Sequence, residues 1–208
     1  MIKAGLTGSI AVGKTFVCDV LRELGCHIID ADVISRDVVG PETDGLKQIV
    51  REFGPLVLKE DGELDRGKLG EIVFADPAKR QLLNSIVHPL VIEEQNRLIR
   101  ALEEEYPDGI VVVDAALMIE SGGYKRFDKL IVVFCDPELQ LRRLMERNGL
   151  SEAEARQRID SQMPHEEKKR FATHLIDTSA GVDKTPPPKG KNFPGVSTKK
   201  KKGRGNTN

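Results

Sequence analysis

The sequence predicts an α/β fold in which helices cover a parallel β-sheet. Three observations predict it. Ile110-Val111-Val112-Val113-Asp114 and Leu130 to Asp136 are nearly continuous apolar runs rich in β-branched residues, the pattern of strands buried on both faces. Segments of strand character alternate with segments of helical periodicity along the chain. A glycine-bearing turn, Gly8-Ser9-Ile10-Ala11-Val12-Gly13-Lys14-Thr15, joins the first strand to the first helix.

Each element follows from its own pattern. Ile2-Lys3-Ala4-Gly5-Leu6-Thr7 reads as a short buried strand. Phe16 to Leu24 reads as a helix, with Phe16, Val17, Val20, Leu21 and Leu24 at helical spacing. Cys26 to Asp30 reads as a second strand, and Val33 to Val39 begins another helix with Asp32 as a candidate N-cap. Residues 45–106 look mainly helical: Leu46, Ile49, Val50 and Phe53 form one apolar face, and Leu69, Ile72, Val73 and Phe74 another. Two more helices are expected at 78–87 and 90–105, separated by His88-Pro89. Ala115 to Phe127 reads as a loop and short helix. Residues 137–147 and 151–162 read as a charged helical pair, the second begun by a capping box at Ser151-Glu152-Ala153-Glu154. His174 to Asp177 is a last short strand. In such a doubly wound sheet ligands gather at the carboxyl ends of the strands, where Gly8, Asp32, Asp114 and Asp136 fall.

The turn at Gly8 to Thr15 fits the P-loop spacing G-x-x-x-x-G-K-[ST]. A loop between a strand and a helix N-terminus converges backbone N–H groups on one spot, and the helix dipole makes that spot favourable for phosphate. Lys14 can reach the β- and γ-phosphates, and the Thr15 hydroxyl can hold Mg²⁺.

Composition bounds the rest. The 208 residues suit one or two compact domains, and 39% hydrophobic content can build a core. From Lys184 the composition turns to Pro, Gly, Lys, Ser, Thr and Asn, with eight basic residues and no acidic one. A disordered basic tail is expected over 184–208, and a solvated appendage outweighs a nucleic-acid contact as its reading. Residues 1–183 hold 24 basic and 33 acidic side chains, about −9, so no nucleic acid is expected on the folded body. Cys18, Cys26 and Cys135 lack metal-type spacing and read as reduced thiols. No long apolar segment precedes the P-loop strand, and no run suits a membrane span, so a cytoplasmic location is expected.

A P-loop leaves the phosphate acceptor open. The guanine-reading N-K-x-D motif of GTPase switches is missing from the sequence. A small P-loop protein with a helical insertion and an Arg-rich helical pair suggests a kinase of small molecules, because phosphoryl transfer needs mostly positioning and charge neutralisation. Arg142, Arg143, Arg147, Arg156 and Arg158 could supply a closing lid, or most of them a solvated, salt-bridged surface.

The chain resembles the dephospho-coenzyme A kinase family. The resemblance rests on Gly5-Leu6-Thr7-Gly8 leading into Gly13-Lys14-Thr15, on Ile29-Asp30-Ala31-Asp32, on Gly62-Glu63-Leu64-Asp65-Arg66 and on Ile86-Val87-His88-Pro89-Leu90. Asp114 to Glu120, Phe127-Asp128-Lys129, Gln140 to Arg147, Gln162-Met163 and Ile176-Asp177 agree in order and spacing. The Asp-Ala-Asp and Val-His-Pro-Leu pieces discriminate far better than the P-loop. The resemblance implies ATP-dependent phosphorylation of the ribose 3′-hydroxyl of dephospho-coenzyme A. It implies a P-loop NTPase three-layer fold with a parallel sheet (1–44, 108–136 and 171–183), a helical substrate-binding insertion (45–107) and a helical lid (137–170). Alternatives from the residues alone are a nucleoside or nucleotide kinase, or a nucleotide-binding regulatory protein using the Lys199–Lys202 tail.

The resemblance also distributes roles. ATP is expected at Gly8, Ala11, Val12, Gly13, Lys14, Thr15 and Phe16, with Arg143 and Arg147 meeting its phosphates. Arg143 and Arg147 share one helix face, and like charges there suit an anion between them. Asp32 is the candidate catalytic carboxylate, with Lys14 and Arg143 beside it; its other reading is the helix cap. Asp30 reads as structural or as a group near magnesium. Asp114 is a Walker-B-type magnesium carboxylate or a strand-end turn residue. Arg66 meets a substrate phosphate or an internal partner. His88 binds substrate or serves as a structural hydrogen-bonder at a helix start. The family loop reads Gly-Gly-Ile-Gly-Ser-Gly-Lys, so Ser9, Ala11 and Val12 depart from it, and Ala11 is expected to lose access to positive φ at low cost. Ala116 to Glu120 and Thr178 to Gly181 depart from the usual Pro-Leu-Leu-Phe-Glu and Asn-Ser-Gly.

Overall fold

The computed structural model describes residues 1–180; the expected tail at 184–208 and the last core positions, 181–183, lie outside the described residues. Five strands are found among them: β1 (Ile2–Gly8), β2 (His27–Asp30), β3 (Ile110–Asp114), β4 (Lys129–Phe134) and β5 (His174–Asp177). They form one parallel sheet in the order β2-β3-β1-β4-β5. The predicted α/β class is therefore observed. The central β1 is flanked by β3 and β4, so the chain turns in opposite directions on either side of it, which places the ligand crevice at its carboxyl end. Register aligns that end: Leu6 pairs with Asp114, Asp30 with Asp114, and Gly8 with Val133.

Both faces of the sheet are covered, which is why its strands read as unbroken apolar runs. On one face Ile110, Val112, Ile131 and Val133 pack with Val17, Cys18 and Leu21 of α1 (Lys14–Glu23). On the other, Val111, Val113, Leu130 and Val132 pack with Ile34 of α2 (Ala31–Asp37) and Ile99 of α5 (Pro77–Glu105). A third cluster lies away from the sheet. Leu46 and Ile49 of α3 (Asp44–Phe53) meet Leu69 of α4 (Arg66–Ala75) and Ile86 of α5.

Helix α5 corrects two expectations. It runs unbroken through Pro89, so the break expected at His88-Pro89 is absent and His88 does not start a helix. A proline inside a helix costs about 3 kcal/mol locally. Packing overrides that cost here. Leu83, Ile86, Val87 and Leu90 belong to the third cluster, whereas Val91, Leu98, Ile99 and Leu102 belong to the sheet cluster. Pro89 sits where the helix passes from one core to the other, and it faces solvent.

The charged helices form as α6 (Pro137–Asn148) and α7 (Glu152–Asp160), followed by a short α8 (His165–Lys169) that the periodicity did not separate. Asp136 caps α6 through the Glu138 and Leu139 N–H groups, Pro137 opens it, and Gly149 ends it in a left-handed conformation. The Ser151/Glu154 capping box forms as the sequence predicts.

Candidate active site

The phosphate loop spans the end of β1 and the start of α1. A Cβ on Gly8 would lie 2.6 Å from the Val133 carbonyl oxygen, so close strand packing demands glycine there. Gly13 precedes α1 at φ 87°, a left-handed conformation, and no side chain caps the helix behind it. The first N–H groups of α1 are therefore left for an anion. The Val12 side chain is fully buried and Phe16 packs against the same core, so both can meet a nucleotide chiefly through backbone. The Thr15 side chain is exposed.

Ala11 corrects the expectation of a cheap glycine replacement. It holds φ 60°, so the loop keeps the left-handed conformation and the alanine bears the strain. That strain is about 1–2 kcal/mol for a residue with a Cβ, partly offset by the lower unfolded-state entropy of alanine. Ala11→Gly is expected to stabilise the fold by about 1 kcal/mol, or about 2–4 °C in Tm for a domain of this size. Thermal unfolding followed by calorimetry checks it, and a fall in Tm would contradict the strain.

Lys14, Asp114 and Asp32 come together at the carboxyl ends of the strands. Lys14 Nζ contacts Asp114 Oδ1 in a largely buried ion pair. The Cys18 thiol donates to Asp114 Oδ2 at 3.5 Å. Burial, followed by the Asp114 charge, pushes that thiol up to about 12, so Cys18 stays neutral and serves Asp114 as a donor. Asp32 keeps an exposed surface, yet the protein crowding its carboxyl raises its pKa above the ordinary aspartate value. Asp30 and Asp114 push the same way, while Lys14 and Arg36 oppose them. These mutual influences define one electrostatic cluster.

Asp32 is not the cap of α2. Asp30 is: its Oδ1 accepts from the N–H groups of Asp32 at 2.8 Å and Val33 at 3.2 Å. The sequence offered two carboxylates two residues apart, and the backbone decided between them. Capping by Asp30 leaves the Asp32 carboxylate free in the crevice.

Arg66 and His88 line separate cavities. Arg66 opens α4, donates to the Arg36 carbonyl at 3.3 Å and lines a cavity of about 640 Å³ with Arg36, Lys59 and Thr43. Arg36 joins this cavity to Asp32, one turn away on α2. It was missed from sequence, although its i,i+4 spacing from Asp32 was the available signal. His88 lies exposed on α5, in a cavity of about 550 Å³ with Ile92, Glu93, Asn96 and Arg100.

Arg143 and Arg147 also part. Arg143 donates to the Thr178 hydroxyl at 3.2 Å and to its carbonyl at 3.1 Å. Arg147, one turn further, is exposed and bonded to its neighbour Asn148. Lys168 was missed altogether. It is wholly buried, pairs with Glu120 at 2.9 Å and donates to the Ala116 carbonyl at 3.1 Å. Thr7 donates to that same carbonyl at 3.0 Å. The chain following Asp114 is thus held from both sides. A charged residue in a short polar helix gives no sequence signal of complete burial.

A phosphate loop on the central strand, carboxylates at the neighbouring strand ends and arginines on an adjoining helical pair define a P-loop phosphotransferase. The model of the dephospho-CoA kinase family matches residues 2–184, and the chain belongs to that family. A dephospho-CoA kinase domain-containing protein of Danio rerio is 46% identical over 188 residues, 89% of this chain and 81% of that one. The dephospho-CoA kinase of Geobacillus kaustophilus (strain HTA426) is 46% identical over 185 residues, 87% of this chain and 90% of that one. Among solved structures, TT1252 from Thermus thermophilus is similar with a TM-score of 0.73 and 30% identity, over 88% of this chain and 91% of that one. A dephospho-CoA kinase from Campylobacter jejuni gives a TM-score of 0.64 and 32% identity, over 85% and 88%.

Proposed function

We propose that this protein transfers the γ-phosphoryl group of ATP to the ribose 3′-hydroxyl of dephospho-coenzyme A, giving coenzyme A and ADP. The observation that carries the catalytic assignment is the cluster of Asp32 with Lys14 and Asp114 at the mouth of the phosphate loop. Family membership carries the choice of acceptor.

Asp32, free of capping duty, orients the 3′-hydroxyl and accepts its proton as the new bond to phosphorus forms. Its raised pKa, caused first by burial of the carboxyl, makes it a better proton acceptor than an ordinary aspartate. The first N–H groups of α1 and Lys14 hold the β- and γ-phosphates, and Lys14 exchanges its Asp114 contact for them. Arg143 and Arg147 neutralise the charge of the triphosphate from α6. Arg66, with Arg36 and Lys59, offers cations to the phosphates of the acceptor. His88 contacts a further part of the same substrate.

The Thr15 hydroxyl and the Asp114 carboxylate are hard oxygen donors suited to Mg²⁺. When bound, the ion would neutralise charge on the transferring phosphates. Among the described residues no helix is long and apolar enough to cross a membrane. The three cysteines are free and buried, as suits a reaction in the reducing cytoplasm.

Purified protein with ATP and Mg²⁺ is expected to phosphorylate dephospho-coenzyme A far faster than adenosine or AMP. Faster turnover of either of those, with none of dephospho-coenzyme A, would overturn the reading.

A further inference from the structure

Ile10 sits in the phosphate loop between Gly8 and the left-handed Ala11, where no strand neighbour fixes its peptide groups. Two glutamines do so instead. Gln140, in the first turns of α6 and 1% exposed, donates from Nε2 to the Ile10 carbonyl at 2.8 Å. Gln162, just beyond α7, accepts the Ile10 N–H on Oε1 at 2.8 Å. The backbone polarity of Ile10 sets both amide orientations: a carbonyl can meet only the amide nitrogen and an N–H only the amide oxygen. The same face of α6 reaches the loop a second time. Arg143, three residues after Gln140, donates to the Thr178 hydroxyl, which donates to the Val12 carbonyl at 2.7 Å.

We infer that Gln140 and Gln162 are positioning residues that clamp Ile10 and couple the α6–α7 helical pair to the phosphate cradle. The clamp turns the peptide groups of Ile10 outward and holds the left-handed turn at Ala11. That arrangement keeps the uncapped N-terminus of α1 facing the phosphates. Any movement of α6 or α7 on binding nucleotide is thereby transmitted to the loop through opposite ends of one residue. This inference rests on the loop being the ATP site, and it assigns the glutamines to ATP rather than to the acceptor.

The opposed polarities supply the test. Gln162→Glu keeps an oxygen that can accept the Ile10 N–H. Gln140→Glu sets a carboxylate oxygen against the Ile10 carbonyl. Gln140 is buried and Gln162 half-buried, so the two added charges differ in burial as well as in hydrogen-bond polarity, and the uncharged Gln140→Met separates the two. The Kd for ATP by titration calorimetry and the KM for ATP are expected to be about tenfold or more higher in Gln140→Glu than in Gln162→Glu. The KM for dephospho-coenzyme A should stay within about twofold of wild type, which a general loss of structure would not allow. Should the buried charge of Gln140→Glu prevent folding, Gln140→Met removes the donor without adding charge and is expected to raise the Kd for ATP about tenfold. Equal ATP affinity in the two Glu variants, or wild-type affinity in Gln140→Met, would overturn the clamp. Wild type is assayed alongside: ATP binding without phosphorylation of dephospho-coenzyme A would sink the proposed function and leave the clamp to be judged on Kd.

Discussion

Asp32→Asn is expected to lower kcat by about a hundredfold to ten-thousandfold, the usual contribution of a positioned general base. The Kd for ATP should change little, because Asp32 faces the acceptor side of the cluster in this reading. The fold should not suffer. The side-chain acceptor that starts α2 belongs to Asp30, so replacing Asp32 removes no cap. Its raised pKa carries the sign further. A carboxyl whose pKa is higher folded than unfolded favours the fold while protonated at low pH, and that contribution is lost as pH rises through the folded value. Asparagine removes a carboxyl whose ionisation the fold disfavours, so Tm should stay unchanged or rise slightly. Activity runs the opposite way. The base must be ionised, so kcat/KM is expected to fall on acidification at a pH above that of an ordinary aspartate, and residual Asp32→Asn activity should lack that limb. Steady-state kinetics across pH with parallel thermal unfolding checks both. Near-normal kcat would return Asp32 to a role in local structure.

Lys168→Met is expected to carry the largest stability loss. Removing one partner of a buried ion pair costs about 3–5 kcal/mol when the remaining charge is trapped. Glu120 keeps a quarter of its side-chain surface exposed, so the lower end, about 3 kcal/mol, applies. That corresponds to a Tm lower by about 6–12 °C for a domain of this size. The Ala116 carbonyl would keep only Thr7 as a donor, loosening the segment that follows Asp114. Combining Lys168→Met with Glu120→Gln should recover part of the loss, because the stranded charge is gone. A Tm within about 2 °C of wild type for the single variant would show that the pair contributes nothing.

The parallel sheet, the phosphate loop, the Ser151 cap of α7 and the strand-end position of Asp114 were legible because each depends on neighbours in sequence. Burial on both faces writes itself as a β-branched run, and a phosphate loop needs its glycines and lysine at fixed spacing. The unbroken α5 was not legible. Local chemistry argues for a break at Pro89, and only two cores gripping the helix on either side of it argue otherwise. The cap of α2 was ambiguous for a similar reason, since Asp30 and Asp32 are chemically alike and differ only in where β2 ends.

The sequence by itself determined the class of fold, the phosphate-binding end of the sheet and the family, because these reside in periodicity and in short contiguous motifs. Tertiary structure alone decided the long-range matters. It placed Gln140, Gln162 and Thr178 on the phosphate loop, buried Lys168 against Glu120, and joined Arg36 to Arg66 and its cavity. Each of these pairs a polar group with a partner distant in sequence or on another element. No propensity or period records such a partner, since burial of a polar side chain is tolerated only where the folded chain brings its complement within hydrogen-bond distance.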